Sequence, residues 1–129
     1  MKSLRSPLGR VAGLGAAKEG VHHWWLQRLT SIALVPLSIW FAVSILSLPS
    51  LDHVTVSAWM AQSWTALLLI VLVLVATYHS QLGARVVVED YVQNSGMKTL
   101  TLVILTFTHA FLAVAGVFAI LKVAFGGAP

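Results

Sequence analysis

The feature that most constrains this chain is where its charged residues are missing. Three runs free of Lys, Arg, Asp and Glu are each long enough to cross a bilayer, which takes about 20 apolar residues. The first runs from Leu29 to Leu48, directly after Arg28. The second is the apolar part of the uncharged stretch between Asp52 and Arg85, with its span at residues 64–84. The third runs from Thr99 to Leu121, with Lys98 and Lys122 just outside it. A backbone in lipid has to satisfy its own hydrogen bonds, and a run of this length does so as a helix. Strands of a membrane barrel are about ten residues long and alternate in polarity. The run from Ala66 to Val75 does not alternate. The spacing therefore predicts an all-α membrane protein with three transmembrane helices.

Composition agrees and removes other classes. Of 129 residues, 58% are hydrophobic and 9% are charged, whereas a soluble domain is about 25% charged. Disordered chains are poor in apolar residues, so disorder is excluded too. With no Cys, the chain has no disulfide framework, thiolate metal site, Cys-held iron–sulfur cluster or c-type haem attachment. The net charge of +4 points to a membrane surface and not to nucleic acid. The first run is not a cleavable signal sequence, because it is 20 residues long, follows 28 others and is followed by Pro49-Ser50-Leu51-Asp52 without a small-x-small site.

Cations collect on the inner side of multi-pass membrane proteins. Lys2, Arg5, Arg10, Lys18 and Arg28 precede the first span, Arg85 and Lys98 lie between the second and third, and only Lys122 follows the third. The N-terminus is expected inside and the C-terminus outside. Trp24 and Trp25 would sit at the inner interface, and Trp59 and Trp64 at the outer one. Residues 1–28 read as an inner-face arm broken by Gly9, Gly13, Gly15 and Gly20, followed by a three-helix anchor over residues 29–125. Pro36 should kink the first helix unless its neighbours satisfy the freed carbonyl. The starting Met and the lack of a long presequence suggest a bacterial inner membrane over a mitochondrial one.

No span holds an Asp or Glu, which argues against a proton-coupled transporter, since these use carboxylates within the membrane. Histidine is left to carry chemistry. His79 lies near the inner end of the second span, and a neutral imidazole at depth can ligate haem iron. Gly83, four residues on, shares its helical face and would let a flat macrocycle approach the backbone. The plainer use of His79 is a hydrogen bond to a neighbouring helix. At 1.5 Å per residue His109 lies about 16 Å above Lys98, and His79 about 9 Å above Arg85. If those cations mark one depth, the imidazoles differ by about 7 Å in height, which does not favour both ligating one iron. At the end of the second span, Tyr91 could donate to a quinone carbonyl with Asp90 in support, or act as an interfacial anchor. Arg28 could pair with a haem propionate or snorkel to lipid phosphate.

Together these residues resemble the membrane-anchor subunits of succinate dehydrogenase. The likeness rests on Gly20-Val21-His22, on Arg28 six residues after that His, on His79 followed by Gly83, and on Asp90-Tyr91 with the Tyr twelve residues after His79. It covers about residues 20–125. It implies that His79 is one axial ligand of a b-type haem and that a companion cytochrome b anchor subunit supplies the other within a heteromeric helix bundle. It implies that Tyr91 hydrogen-bonds ubiquinone with Asp90 in support, and that Arg28, with His22, neighbours the haem propionates or the quinone pocket. A flavoprotein subunit would oxidise succinate, and an iron–sulfur subunit docked on the inner side would pass the electrons on. The doublet His22-His23 leaves open which imidazole takes the family position, and Arg85 has no assigned role. The alternatives are the anchor of a quinol:fumarate reductase and a small non-enzymatic membrane assembly protein.

Overall fold

The structure, a computed structural model, describes the backbone of residues 17–126 and the side chains of residues 21–126. Residues 1–16, most of the expected inner-face arm, lie outside the described residues. Four helices follow one another: α1 (Ala17–Leu46), α2 (His53–Ala61), α3 (Ser63–Tyr91) and α4 (Ser95–Phe125). Three of them, α1, α3 and α4, are long and apolar enough to cross a membrane. The chain is an all-α, multi-pass membrane protein.

Each long helix exceeds the run that predicts it. The 29 residues of α3 rise about 44 Å at 1.5 Å each, against a hydrocarbon core of about 30 Å. The surplus is polar helix at the ends. On α3 it carries the ion pair in which Arg85 Nε donates to Glu89 Oε1 at 2.8 Å, one turn apart. On α1 the helix already runs from Ala17 through Gly20, where the sequence alone suggests a break. A single glycine costs a helix about 1 kcal/mol, which the long apolar segment that follows can outweigh. The helix also continues through Pro36, which has no N–H to give the carbonyl of Ile32.

Side-chain oxygens mark the boundaries. Asp52 caps α2, accepting from the backbone N–H of Thr55 at 2.9 Å and from its hydroxyl at 3.0 Å. Asn94 caps α4 by accepting from the N–H of Met97 at 3.1 Å. Within the spans, hydroxyls turn back onto the carbonyl one turn earlier, as Ser31 does to Gln27 at 2.7 Å and Thr77 to Val73 at 2.6 Å. That contact lets a polar side chain sit in lipid without an orphan proton.

Helix α3 is central. It packs against α1 on one side and α4 on the other, and α1 and α4 do not meet among the described residues. The short helix α2 crosses one end of the bundle and touches both α3 and α4. A small core forms there from Ala66, Leu69 and Ile120, with Trp40, Trp59 and Met60 against it. Trp59 stacks on Trp40 with ring centroids 6.2 Å apart. It is therefore a packing residue as well as an end residue, whereas Trp64 is exposed. The opposite end carries Arg28, Arg85 and Lys98 and is called the cationic end below. Most large apolar side chains along α1 and α4 are exposed, as befits a chain whose solvent is lipid or other helices.

Candidate functional site

The α1/α3 seam is built where a polar stripe of α1 meets His79. Residues His23, Gln27 and Thr30 recur at helical spacing and share a face of α1. His79 lies opposite, with Nδ1 2.9 Å from Thr30 Oγ1 and Nε2 3.3 Å from Gln27 Nε2. The Thr30 hydroxyl proton is already engaged, donating to the Leu26 carbonyl at 2.8 Å, with the Gln27 carbonyl at 3.1 Å. With that proton on Leu26, the Thr30 oxygen can accept from His79 Nδ1–H, and the Gln27 amide N–H can donate to Nε2. That is the tautomer an imidazole needs to bind a metal through Nε2.

The seam is only half satisfied. Gln27 Oε1 and His23 Nε2 are buried without a hydrogen-bond partner, and such an atom costs about 1–3 kcal/mol. A Cβ added to Gly83 would meet only the Gln27 amide nitrogen, at 3.5 Å. The space beside Gly83 is thus held by the tip of one flexible side chain that leaves its own oxygen unpaired. A ring nitrogen, a glycine beside it and one flexible amide next to both fit a site where His79 could hold the iron of a flat macrocycle.

The other sequence candidates fall around this seam. Asp90 lies eleven residues after His79, about 20° from it around the helix at 3.6 residues per turn, so the two share a stripe of α3. Tyr91, the last residue of α3, is 81% exposed. Arg28 is exposed, with its guanidinium 5.1 Å from the centre of the Trp24 ring, and it does not reach His79. His22 is exposed, whereas His23 is turned into the seam. Gln27 and Thr30 were missed in the sequence. Their spacing with His23 as a polar stripe entering an apolar span was the available signal.

On the other side of α3, His109 is fully occupied. Its Nδ1 donates to the Leu105 carbonyl at 2.9 Å, and its Nε2 accepts from the Ser80 hydroxyl at 3.2 Å. This corrects the height estimate, because Ser80 follows His79 directly and the two imidazoles are nearly level. The error lay in equating the depths of Arg85 and Lys98. Lys98 Nζ donates to the carbonyl of Glu89 at 2.8 Å, a full turn beyond Arg85. The two rings serve different seams for a different reason: they engage opposite sides of α3. Arg85 belongs to the α4 side, where it lines a cavity of about 300 Å³ with Gln81, Thr99, Leu102 and Thr106.

The fold defines a class: a three-span all-α membrane protein, here with imidazoles seated between its helices. A family model described as the succinate dehydrogenase/fumarate reductase transmembrane subunit matches residues 2–121. The chain belongs to that family. It is 33% identical over 101 residues to a succinate dehydrogenase hydrophobic membrane anchor subunit of Rickettsia conorii, covering 78% of this chain and 80% of the relative. A Rickettsia bellii protein of the same description is 36% identical over 101 residues, covering 78% and 79%. One from Paracoccus denitrificans is 27% identical over 121 residues, covering 94% and 93%.

Proposed function

We propose that this chain binds one face of a b-type haem through His79 and contributes Tyr91 to a ubiquinone site, as part of a succinate:quinone oxidoreductase. The observation that carries the reading is the setting of His79 Nε2, which faces only the flexible Gln27 amide at 3.3 Å, beside the open space at Gly83. His79 would hold the iron, and the missing side chain at Gly83 would leave room for the group beside α3. The family resemblance gives the second ligand to a companion cytochrome b anchor subunit, and His109 stays with Ser80 and Leu105. The haem, when bound, supplies a one-electron redox centre within the membrane.

Tyr91 and Asp90 close the cationic end of α3, where a quinone head group entering from lipid meets the exposed phenol. Arg28, also exposed at that end, is free to turn from Trp24 to a propionate. Of the histidine doublet, His23 is the one on the seam, with its unpartnered Nε2 near the proposed haem, and His22 is left toward the surface. The cationic end faces the inside of a bacterial inner membrane, with the N-terminus cytoplasmic and the C-terminus periplasmic. An iron–sulfur subunit docks there and carries electrons from the flavoprotein subunit that oxidises succinate.

Purification from membranes through a tag on this chain tests the assembly. Flavin, iron and a b-type visible spectrum are expected together. His79→Leu should remove or alter the haem spectrum, and an unchanged spectrum and haem content would refute the ligand assignment. Tyr91→Phe should slow quinone reduction about tenfold, the value of one hydrogen bond of about 1.4 kcal/mol. Succinate oxidation by an artificial acceptor should be unaffected, and equal loss of both activities would refute the quinone role.

A further inference from the structure

We infer that Thr30 is a positioning residue for the haem site, fixing the tautomer and electron donation of His79 through a relay that ends on the backbone of α1. The inference rests on the reading of His79 as a haem ligand. Two bonds carry it. The Thr30 hydroxyl lies 2.8 Å from the Leu26 carbonyl, an acceptor only, so its proton goes there. His79 Nδ1, 2.9 Å from the same oxygen, can then donate to it. A His79 that ligates through Nε2 carries its proton on Nδ1, the form from which the Thr30 oxygen accepts.

The relay is tied to the helix. Leu26 is one turn before Thr30, so the acceptor oxygen is anchored by a contact internal to α1 and does not depend on a second side chain. A ligand imidazole that donates its other N–H to a fixed acceptor is held in orientation and gives more electron density to the metal. That favours the ferric state and lowers the reduction potential of the haem. Ser31, the next residue, has the same kind of helix bond, 2.7 Å to the Gln27 carbonyl, but no bond to His79. It supplies an internal control for hydroxyl loss on α1.

The test uses the whole complex assembled with its partner subunits, with haem content and midpoint potential read from optical redox titration. Thr30→Val keeps the branched shape and removes the acceptor. It should retain b-type haem but shift the midpoint potential positive. The expected change is three- to tenfold in the ferric-to-ferrous ratio at fixed ambient potential, tenfold being about 59 mV for one electron. Thr30→Ser should restore the original value, and Ser31→Ala should leave it unchanged. If Thr30→Val does not assemble, Thr30→Ala carries the same expectation. An unmoved potential in a haem-containing Thr30→Val or Thr30→Ala complex overturns the inference, as does an equal shift in Ser31→Ala. Failure of the underlying reading looks different: His79→Leu would then leave haem content and potential as they were. If His79→Leu removes the haem while loss of the Thr30 hydroxyl changes nothing, only the role of Thr30 falls.

Discussion

The two seams on either side of α3 each hold a histidine at nearly the same height, yet they are built differently. On the α4 side, His109 has both ring nitrogens bonded, and Gln81 Nε2 donates to the Thr106 hydroxyl at 3.3 Å. Further along, Gly116 lets α4 approach so closely that a Cβ there would lie 2.7 Å from Val73 Cγ1. On the α1 side, His79 is bonded, but Gln27 and His23 leave buried atoms unpaired, and the glycine has only a flexible amide next to it. The satisfied seam holds helices together. The α1 seam holds the unpartnered atoms. Buried polar groups are nearly always paired in native proteins, which makes this seam the candidate site.

Filling the two glycines separates the roles most sharply. Gly83→Leu is expected to abolish the b-type absorption of the purified complex while flavin content is kept, with Gly83→Ala intermediate. Full haem content in both variants would mean that the macrocycle does not lie on this face. Gly116→Ala should do the reverse. It forces a methyl into the stiff, β-branched Val73 and costs about 1–3 kcal/mol by overpacking. This should be seen as a lower unfolding temperature in detergent, with the haem spectrum unaltered at low temperature. An unchanged unfolding temperature would show that α3 and α4 can part without loss.

A smaller effect follows from the polar side of the α4 seam. Ser80→Ala removes the donor to His109 and should cost about 0.6 kcal/mol, the mean for a hydrogen bond between membrane helices. No change in haem potential is expected. A spectral change would assign His109 to the cofactor after all and undo the contrast between the seams.

The smallest effect lies outside the spans. The Ser50 hydroxyl, then the N–H and hydroxyl of Thr55, hold the Asp52 carboxyl down from 3.8 to about 2. A carboxyl depressed on folding contributes stability that is complete above its unfolded value and is lost as pH falls through the folded one. The cap on α2 should therefore persist near pH 4 and weaken toward pH 2. Hydrogen exchange at the Thr55 amide measures this. Asp52→Ala should remove the pH dependence, and a slope that survives the substitution would place its origin elsewhere.

Much of the architecture was legible without coordinates. Charge-free runs of bilayer length located α1, α3 and α4, because lipid forces such runs into helices whatever their detailed sequence. The spacing of His79 and Gly83 at a helical interval put one face of α3 in view, since helical periodicity is local. Gln27 and Thr30 were not legible as site residues, because their importance comes from which helix they face. Nor was the relation of His79 to His109, since Lys98 and Arg85 are both plausible boundary cations and only the packing of α3 against α4 sets them a turn apart. Helix α2 was hidden as well: its nine residues are too short to announce themselves in a loop, and they fold where Asp52 can cap them and Trp59 can reach Trp40.

The sequence by itself determined that this chain crosses a membrane three times as helices, because burying unpaired backbone in lipid leaves no other choice. It also determined that histidine must carry whatever chemistry lies at depth, since the spans hold no acid and the chain no Cys. Only the tertiary structure decided what surrounds each histidine. Two imidazoles of equal chemistry and nearly equal depth differ because one meets Ser80 and a carbonyl of its own helix, while the other meets Thr30 and Gln27 beside Gly83 and two unpartnered buried atoms.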